Sequence, residues 1–107
     1  MSASRNSAVL SATSRDTDKK DETLQVLRRH IDRLDEQLLR LLNRRARLAI
    51  RVGRLKKRQG ARIFDPAREQ EILRRLTQTN PGPLSSQAVR MIYRNILKQI
   101  RRLERAV

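Results

Sequence analysis

The chain has 107 residues and no cysteine, and aromatic residues make up only 2% of it. This length fits one domain. The shortage of aromatic residues and the presence of only three glycines argue against a β-sheet protein. The lack of cysteine excludes disulfides, thiolate metal sites and a cysteine nucleophile. The net charge of +15 predicts that the protein attracts anions. The composition therefore favours a basic, all-helical domain.

Residues 1–23 contain four basic and four acidic side chains and no hydrophobic period, so we predict a disordered N-terminal tail there. The positive excess then belongs to residues 24–107, which we predict to form the helical domain. No apolar run is long enough for a membrane helix or a secretory signal, so we expect a cytoplasmic protein that does not bind membranes. Only Phe64 and Tyr93 could stack on bases, which makes nucleic acid the less favoured anionic partner.

A heptad seam runs through the first part of this domain, with its positions alternately three and four residues apart. Its ten positions are Leu24, Leu27, Ile31, Leu34, Leu38, Leu41, Arg45, Leu48, Val52 and Leu55. Nine are apolar, and the tenth is Arg45, whose guanidinium is costly to bury unless an anion meets it. No acidic residue lies three or four positions from Arg45, so the anion must come from elsewhere in the fold or from a ligand.

The seam predicts one long helix from Leu24 to about Arg58, a stretch that contains no proline. At about 1.5 Å per residue, this helix is about 50 Å long. A compact domain of 84 residues, the number in 24–107, is only about 30 Å across. We therefore expect the helix to pair with a second chain.

A second, shorter helix is predicted after a break at Gly60. Asp65 can cap this helix, Pro66 suits its first position, and it should end near Thr79. The segment 80–83, Asn-Pro-Gly-Pro, cannot continue a helix and predicts a turn.

A third helix of medium length follows, with Ser85 or Ser86 as its cap. Its apolar face comprises Ala88, Val89, Ile92, Tyr93, Ile96, Leu97, Ile100 and Leu103. The predicted fold is therefore all-α, with three helices in an open bundle that needs a partner to close its core.

Two cations on the long helix are placed to act together. Arg45 and Lys56 are eleven residues apart, so they project from one face with about 16 Å between their levels. Their long side chains, leaning inward, could grip one small anion from both ends.

Further charged residues cluster on the two shorter helices. Asp65, Arg68 and Glu69 share one side of the first turn of the second helix. Glu104 shares a face with Leu97 and Ile100, which places its carboxyl beside the apolar interior. A purely structural interpretation stays open for each residue, with Asp65 as a cap, Arg68 and Glu69 as a surface pair, and Glu104 in a frayed end.

Together these segments resemble the all-helical chorismate mutases, and the resemblance covers residues 24–105. The order and spacing of the charged positions carry it, which makes it more specific than any single motif. The matching segments are the stretch from Leu27-Arg28 through Leu34-Asp35, then Leu41-Leu42-Asn43-Arg44-Arg45, Val52-Gly53-Arg54-Leu55-Lys56, Phe64-Asp65-Pro66-Ala67-Arg68-Glu69, Asn80-Pro81-Gly82-Pro83-Leu84, Ile92-Tyr93-Arg94 and Leu103-Glu104.

The resemblance implies conversion of chorismate to prephenate, a Claisen-type rearrangement without a covalent intermediate, in the biosynthesis of phenylalanine and tyrosine. It implies three catalytic residues, Arg45, Lys56 and Glu104, and no metal or cofactor. By the same resemblance, Arg45 and a partner chain's Arg28 hold the two substrate carboxylates, and Lys56 and Glu104 flank the ether oxygen whose bond breaks. Asp65 and Glu69 engage the substrate hydroxyl, and Arg68 orders the first turn of the second helix, which carries them.

Helix geometry adds an argument for a dimer with shared sites. Arg28 lies about 25 Å along the long helix from Arg45 and out of phase with it, so one helix cannot bring both to a small substrate. An antiparallel partner can do so if the two-fold axis crosses near Leu38 and Leu39. We therefore predict an intertwined antiparallel homodimer with two equivalent sites.

Two positions depart from the family pattern. Many relatives carry glutamine where this chain has Glu104, and a carboxyl there must be neutral to donate a hydrogen bond to the ether oxygen. Ile100 stands where relatives usually have a serine that binds a substrate carboxylate.

The alternatives on the same scaffold are a lyase that removes pyruvate from isochorismate and a mutase acting on 4-amino-4-deoxychorismate. A basic helical dimer that binds nucleic acid is the alternative from a different class, and a pathway enzyme is a further candidate partner. We predict a solvated surface for the remaining arginines considered, which are Arg40, Arg47, Arg51, Arg74, Arg101 and Arg102.

Overall fold

The structure, a computed structural model, describes residues 22–107. This part of the chain forms helix α1 (Leu24–Gln59), helix α2 (Pro66–Thr79) and helix α3 (Ser86–Ala106), and it contains no strand. The all-α prediction with one long, one short and one medium helix is thereby confirmed. The predicted tail falls, apart from its last two residues, outside the described residues. No helix in 22–107 has the length and apolar character needed to cross a membrane.

Hydrogen bonds at both ends of α1 explain its bounds. At the start, the side-chain oxygen of Thr23 accepts from the Val26 N–H at 3.1 Å, which satisfies a donor of the first turn. At the end, Gly60 adopts a φ of 67°, and the Ala61 N–H donates to the Lys56 carbonyl at 2.8 Å. This is a Schellman cap, and it requires the left-handed conformation that glycine adopts without strain.

The two shorter helices begin at the caps expected from their sequences. Asp65 accepts from the Arg68 N–H at 3.0 Å at the start of α2, and Pro66 occupies the first helical position. Ser85, one of the two predicted candidates, accepts from the Ala88 N–H at 3.0 Å at the start of α3. Between α2 and α3, the Asn80 side chain accepts from the Gly82 N–H at 3.1 Å and stabilises the turn.

The core packs α2 against α3. Ile72 and Leu73 of α2 and Leu97 of α3 are buried together, and Leu76 and Tyr93 pack around them. This small apolar cluster joins the middle of α2 to the middle of α3.

Contacts divide the chain into two compact units, one ending at Leu41 and one from Leu42 to Val107. In the first unit, the apolar seam residues of α1 are exposed to solvent. In the second unit, Leu48, Val52 and Leu55 are exposed as well. The nine apolar positions of the seam are 42–63% exposed, so a single chain leaves the seam uncovered.

Candidate active site

A cavity of about 280 Å³ lies within the second unit. All three helices and the segment between α1 and α2 contribute to its wall. Its lining residues are Arg45, Leu48, Ala49, Val52, Lys56, Ile63, Asp65, Arg68, Glu69, Ile72, Leu97, Ile100, Arg101 and Glu104. Six of the seven predicted site residues are therefore brought together, and Arg28 is not among the lining residues.

Helix α1 supplies Arg45 and Lys56 to the cavity wall, and neither cation has an ion-pair partner in the described part of the chain. The guanidinium carbon of Arg45 lies 6.0 Å from the centroid of the Tyr93 ring, and within residues 22–107 Arg45 forms no salt bridge. Lys56 Nζ donates to the carbonyl oxygen of Ile63 at 3.0 Å. Because a carbonyl is neutral, this hydrogen bond does not offset the positive charge of the ammonium, and two of its three N–H donors remain for a ligand.

The first turn of α2 is ordered by a cap and an ion pair. Besides the Asp65 cap, the Glu69 N–H donates to the Asp65 carbonyl at 3.1 Å. Arg68 Nη1 donates to Glu71 Oε1 at 2.6 Å, and it lowers the pKa of the Glu71 carboxyl. Arg68 therefore pairs with Glu71, and the surface pair of Arg68 with Glu69 considered above does not form.

The prediction that Arg101 lies on the solvated surface is wrong. Its Nη1 atom donates to both carboxylate oxygens of Glu69, at 2.7 Å and 2.6 Å, and its guanidinium carbon lies 4.6 Å from the centroid of the Phe64 ring. Its side chain is only 23% exposed. The sequence spacing could have indicated this position, because Arg101 follows Leu97 by four residues and precedes Glu104 by three. Arg101 therefore shares the inner face of α3 with both residues.

Glu104 is the acid on the α3 side of the cavity. Burial raises the pKa of its carboxyl, and the nearby negative charge of Glu69 acts in the same direction. The cations Lys56, Arg45 and Arg101 lower that pKa, but burial is the larger effect and the net change is upward. The sequence alone did not show whether burial or the neighbouring cations have the larger effect on this pKa.

Gly53 of α1 lets α3 approach closely at Glu104. Gly53 is buried, and a Cβ atom built on it would lie 3.0 Å from both the Cα and the carbonyl oxygen of Glu104. Both are backbone atoms, so α3 itself would have to move. The sequence showed Gly53 only as part of a motif, and the packing between α1 and α3 gives it a function.

We expect Gly53→Ala to destabilise the protein, although alanine favours a helix by about 1 kcal/mol over glycine. Overpacking costs about 1–3 kcal/mol, and a loss of 1 kcal/mol lowers the melting temperature of a domain this small by about 4–8 °C. Thermal unfolding followed by circular dichroism measures the change. A variant more stable than wild type would contradict the close packing.

The charge balance of the cavity favours a small anion. Glu69 is neutralised by Arg101, Arg68 by Glu71, and burial opposes ionisation of Glu104. Arg45 and Lys56 then remain as positive charges on one wall, while Ile72, Leu97 and Ile100 line the apolar floor. Such a cavity can hold an anionic molecule in a compact conformation and stabilise negative charge that develops within it.

No group of three or more histidine, aspartate or glutamate side chains in 22–107 has an arrangement that could hold a metal ion.

Comparison with known protein families gives a match over most of the chain. Residues 27–105 match the family model described as chorismate mutase type II. The bifunctional chorismate mutase/prephenate dehydratase of Aquifex aeolicus is 40% identical over 90 residues, which cover 80% of this chain and 25% of that protein. That of Neisseria gonorrhoeae is 40% identical over 85 residues, covering 79% and 23%. The chain thus spans about a quarter of the length of these relatives.

Solved structures are similar over nearly their whole length. A chorismate mutase from Thermus thermophilus has a TM-score of 0.76 and 40% identity, covering 77% of this chain and 93% of that one. The Helicobacter pylori chorismate mutase, solved in complex with prephenate, has a TM-score of 0.72 and 35% identity, covering 78% and 90%.

Proposed function

Because the chain belongs to the chorismate mutase type II family, we propose that it converts chorismate to prephenate. The observation that carries this proposal is the cavity of about 280 Å³, in which neither Arg45 nor Lys56 forms an ion pair with any residue in 22–107. A substrate with two carboxylates and an ether oxygen supplies the missing negative charge. The reaction belongs to the biosynthesis of phenylalanine and tyrosine, and we place it in the cytoplasm.

The rearrangement breaks the ether C–O bond while a C–C bond forms, and no atom is exchanged with the protein. The enzyme therefore has two tasks, which are to hold the compact reactive conformer and to stabilise the charge that grows on the ether oxygen. In our proposal, Arg45 binds a substrate carboxylate and Lys56 donates a hydrogen bond to the ether oxygen. Glu104, when protonated, donates to the same oxygen from the opposite wall.

The substrate hydroxyl meets the first turn of α2. Glu69 accepts a hydrogen bond from it, and Asp65 contributes mainly through its backbone. The cap of Asp65 on the Arg68 N–H, at 3.0 Å, supports this part of the proposal because it holds the turn rigid. Arg68, paired with Glu71, orders the same turn.

We further propose that two chains form an antiparallel homodimer and that the partner's Arg28 binds the second substrate carboxylate. The exposed seam supports this, since nine apolar side chains along α1 at 42–63% exposure need a cover of similar character. A second copy of the seam provides one, and two-fold symmetry then yields two equivalent sites.

The activity is expected to fall as the pH rises through the pKa of Glu104. Only the protonated carboxyl can donate to the ether oxygen, and burial raises its pKa above the ordinary value against the opposing cations Lys56, Arg45 and Arg101. Glu104→Gln keeps a donor at every pH, so its profile of kcat/KM against pH should be flat over this range. The same pH dependence in Glu104→Gln and wild type would remove Glu104 from the mechanism.

The reaction itself is tested by incubating the protein separately with chorismate and with isochorismate and identifying the products by chromatography. Formation of prephenate is the expected result. Turnover of isochorismate to pyruvate, with chorismate left intact, would assign the scaffold to a lyase. No turnover combined with salt-sensitive binding of DNA or RNA would support the nucleic-acid alternative.

A further inference from the structure

We propose that Arg101 is a positioning residue that makes the pocket prefer a substrate hydroxyl over an amino group, by neutralising and orienting Glu69. This inference rests on the proposed function, in which Glu69 accepts from the substrate hydroxyl. It concerns the choice between chorismate and 4-amino-4-deoxychorismate, which differ at this one group.

The geometry fixes the Glu69 carboxylate from one side. A single nitrogen, Nη1 of Arg101, lies 2.7 Å and 2.6 Å from the two oxygens. The Arg101 guanidinium is itself held over the Phe64 ring, at 4.6 Å from its centroid, in the segment just before α2. Arg101 therefore joins α3 to the first turn of α2 through Glu69, and to the segment before α2 through Phe64.

Among the residues that the structure describes, Arg101 is the cation that forms an ion pair with Glu69. The other arginine near Glu69 in the sequence is Arg68, and its guanidinium is bound to Glu71 at 2.6 Å. The Arg68 side chain is also 53% exposed, against 23% for Arg101. A charge pair shielded from water acts more strongly on a ligand beside it than an exposed one.

The charge of the Glu69–Arg101 pair determines which substrate group it suits. Each carboxylate oxygen has a second lone pair, so Glu69 can accept from a hydroxyl while it stays bound to Arg101. A hydroxyl is neutral and matches a pair whose net charge is zero. An amine at the same carbon is largely protonated at neutral pH, and its positive charge would meet a carboxylate already neutralised and a guanidinium of like sign.

Removing Arg101 and removing Glu69 should therefore shift the preference between hydroxyl and amino substrates in opposite directions. Arg101→Gln leaves the Glu69 carboxylate without its cation, which favours an ammonium group. Glu69→Gln leaves the Arg101 guanidinium without its anion, which disfavours an ammonium group. A merely structural role would lower turnover of both substrates by one factor and leave their ratio unchanged.

The test measures kcat/KM for chorismate and for 4-amino-4-deoxychorismate at about pH 6.5, where the amine is protonated. The ratio of the amino substrate to chorismate should rise about tenfold or more in Arg101→Gln and fall about tenfold in Glu69→Gln. Arg101→Lys, which keeps the charge, should stay closer to wild type. The matched control is Arg102→Gln on the exposed side of α3, where Arg102 contacts Gln99 at 3.3 Å, and its ratio should not change.

Each outcome bears on the proposal. Opposite shifts in the two variants support it, whereas equal losses on both substrates, or shifts of one sign, overturn it. If Arg101→Gln does not fold, as judged by circular dichroism, the other two variants still test the proposal: the ratio should fall in Glu69→Gln and stay close to wild type in Arg101→Lys, and an unchanged ratio in Glu69→Gln would overturn it. Wild-type conversion of chorismate with an unchanged ratio in the variants would refute this inference alone, while a wild type that leaves chorismate intact would refute the proposed function with it.

Discussion

Replacing Lys56 with alanine is expected to lower kcat for chorismate by about 10²–10³-fold, the usual cost of removing one donor to a developing negative charge. Lys56 Nζ already donates to the Ile63 carbonyl at 3.0 Å, which holds the ammonium at the cavity wall. Because that partner is neutral, the charge of the ammonium remains available to the transition state. Its removal should therefore affect kcat more than substrate binding.

Steady-state kinetics with chorismate measure this effect, and circular dichroism confirms that the variant folds. Lys57→Ala is the matched control, since Lys57 is the neighbouring exposed residue and its Nζ donates to the Val107 carbonyl at 2.7 Å outside the cavity. Lys57→Ala should keep wild-type activity. A Lys56→Ala variant within tenfold of wild type would place charge stabilisation on another residue.

A mixture of two inactive variants is expected to regain activity. In our proposal, Arg28→Ala and Arg45→Ala each remove one of the two carboxylate-binding groups from every site, so each homodimer loses most of its activity. When the chains exchange, half of the dimers are heterodimers, and one of the two sites in each heterodimer has both arginines. About a quarter of wild-type activity should therefore return.

Subunit exchange must be verified in the same samples, for example by mass spectrometry of chains that differ in isotope content. The control mixture pairs Arg45→Ala with Lys56→Ala, two residues of one cavity wall. Their heterodimers contain no intact site, so the control should recover nothing. No recovery with Arg28→Ala and Arg45→Ala despite verified exchange would contradict the shared site.

The helix bounds could be predicted from sequence because local chemistry sets them. Asp65 and Pro66 combine a cap with a residue suited to the first helical position, and Gly60 permits the left-handed φ that ends α1. Ser85 or Ser86 was predicted as the cap of α3, and the structure selects Ser85. Each of these signals acts over about four residues, which is why sequence spacing suffices.

The ion pairs of the cavity could not be predicted in the same way, since they depend on packing between helices. Glu69 is 32 residues from Arg101 along the chain, and only the contact between α2 and α3 brings the two together. Sequence proximity suggested a pair between Glu69 and the adjacent Arg68, but Arg68 binds Glu71 instead. The upward shift of the Glu104 pKa could likewise not be predicted, because it depends on how deeply the packing of α1 against α3 buries the carboxyl.

Arg45 illustrates both situations. Its place in an apolar seam was evident from spacing alone, and the absence of a nearby acid indicated an anion from elsewhere. Within the described residues no acid forms a salt bridge with it, and the ring of Tyr93 lies 6.0 Å away. In our proposal, a carboxylate of the substrate is the anion that binds this guanidinium.

In our proposal, Arg45 and Lys56 hold an anionic substrate together with an arginine of a second chain. This arrangement is tested most directly by a crystal structure of the protein with prephenate. We predict one prephenate carboxylate within about 3 Å of the Arg45 guanidinium and the other within about 3 Å of Arg28 from a second chain, the usual distance of charge-assisted hydrogen bonds. Prephenate bound away from Arg45, or a cavity completed by one chain alone, would contradict the proposal.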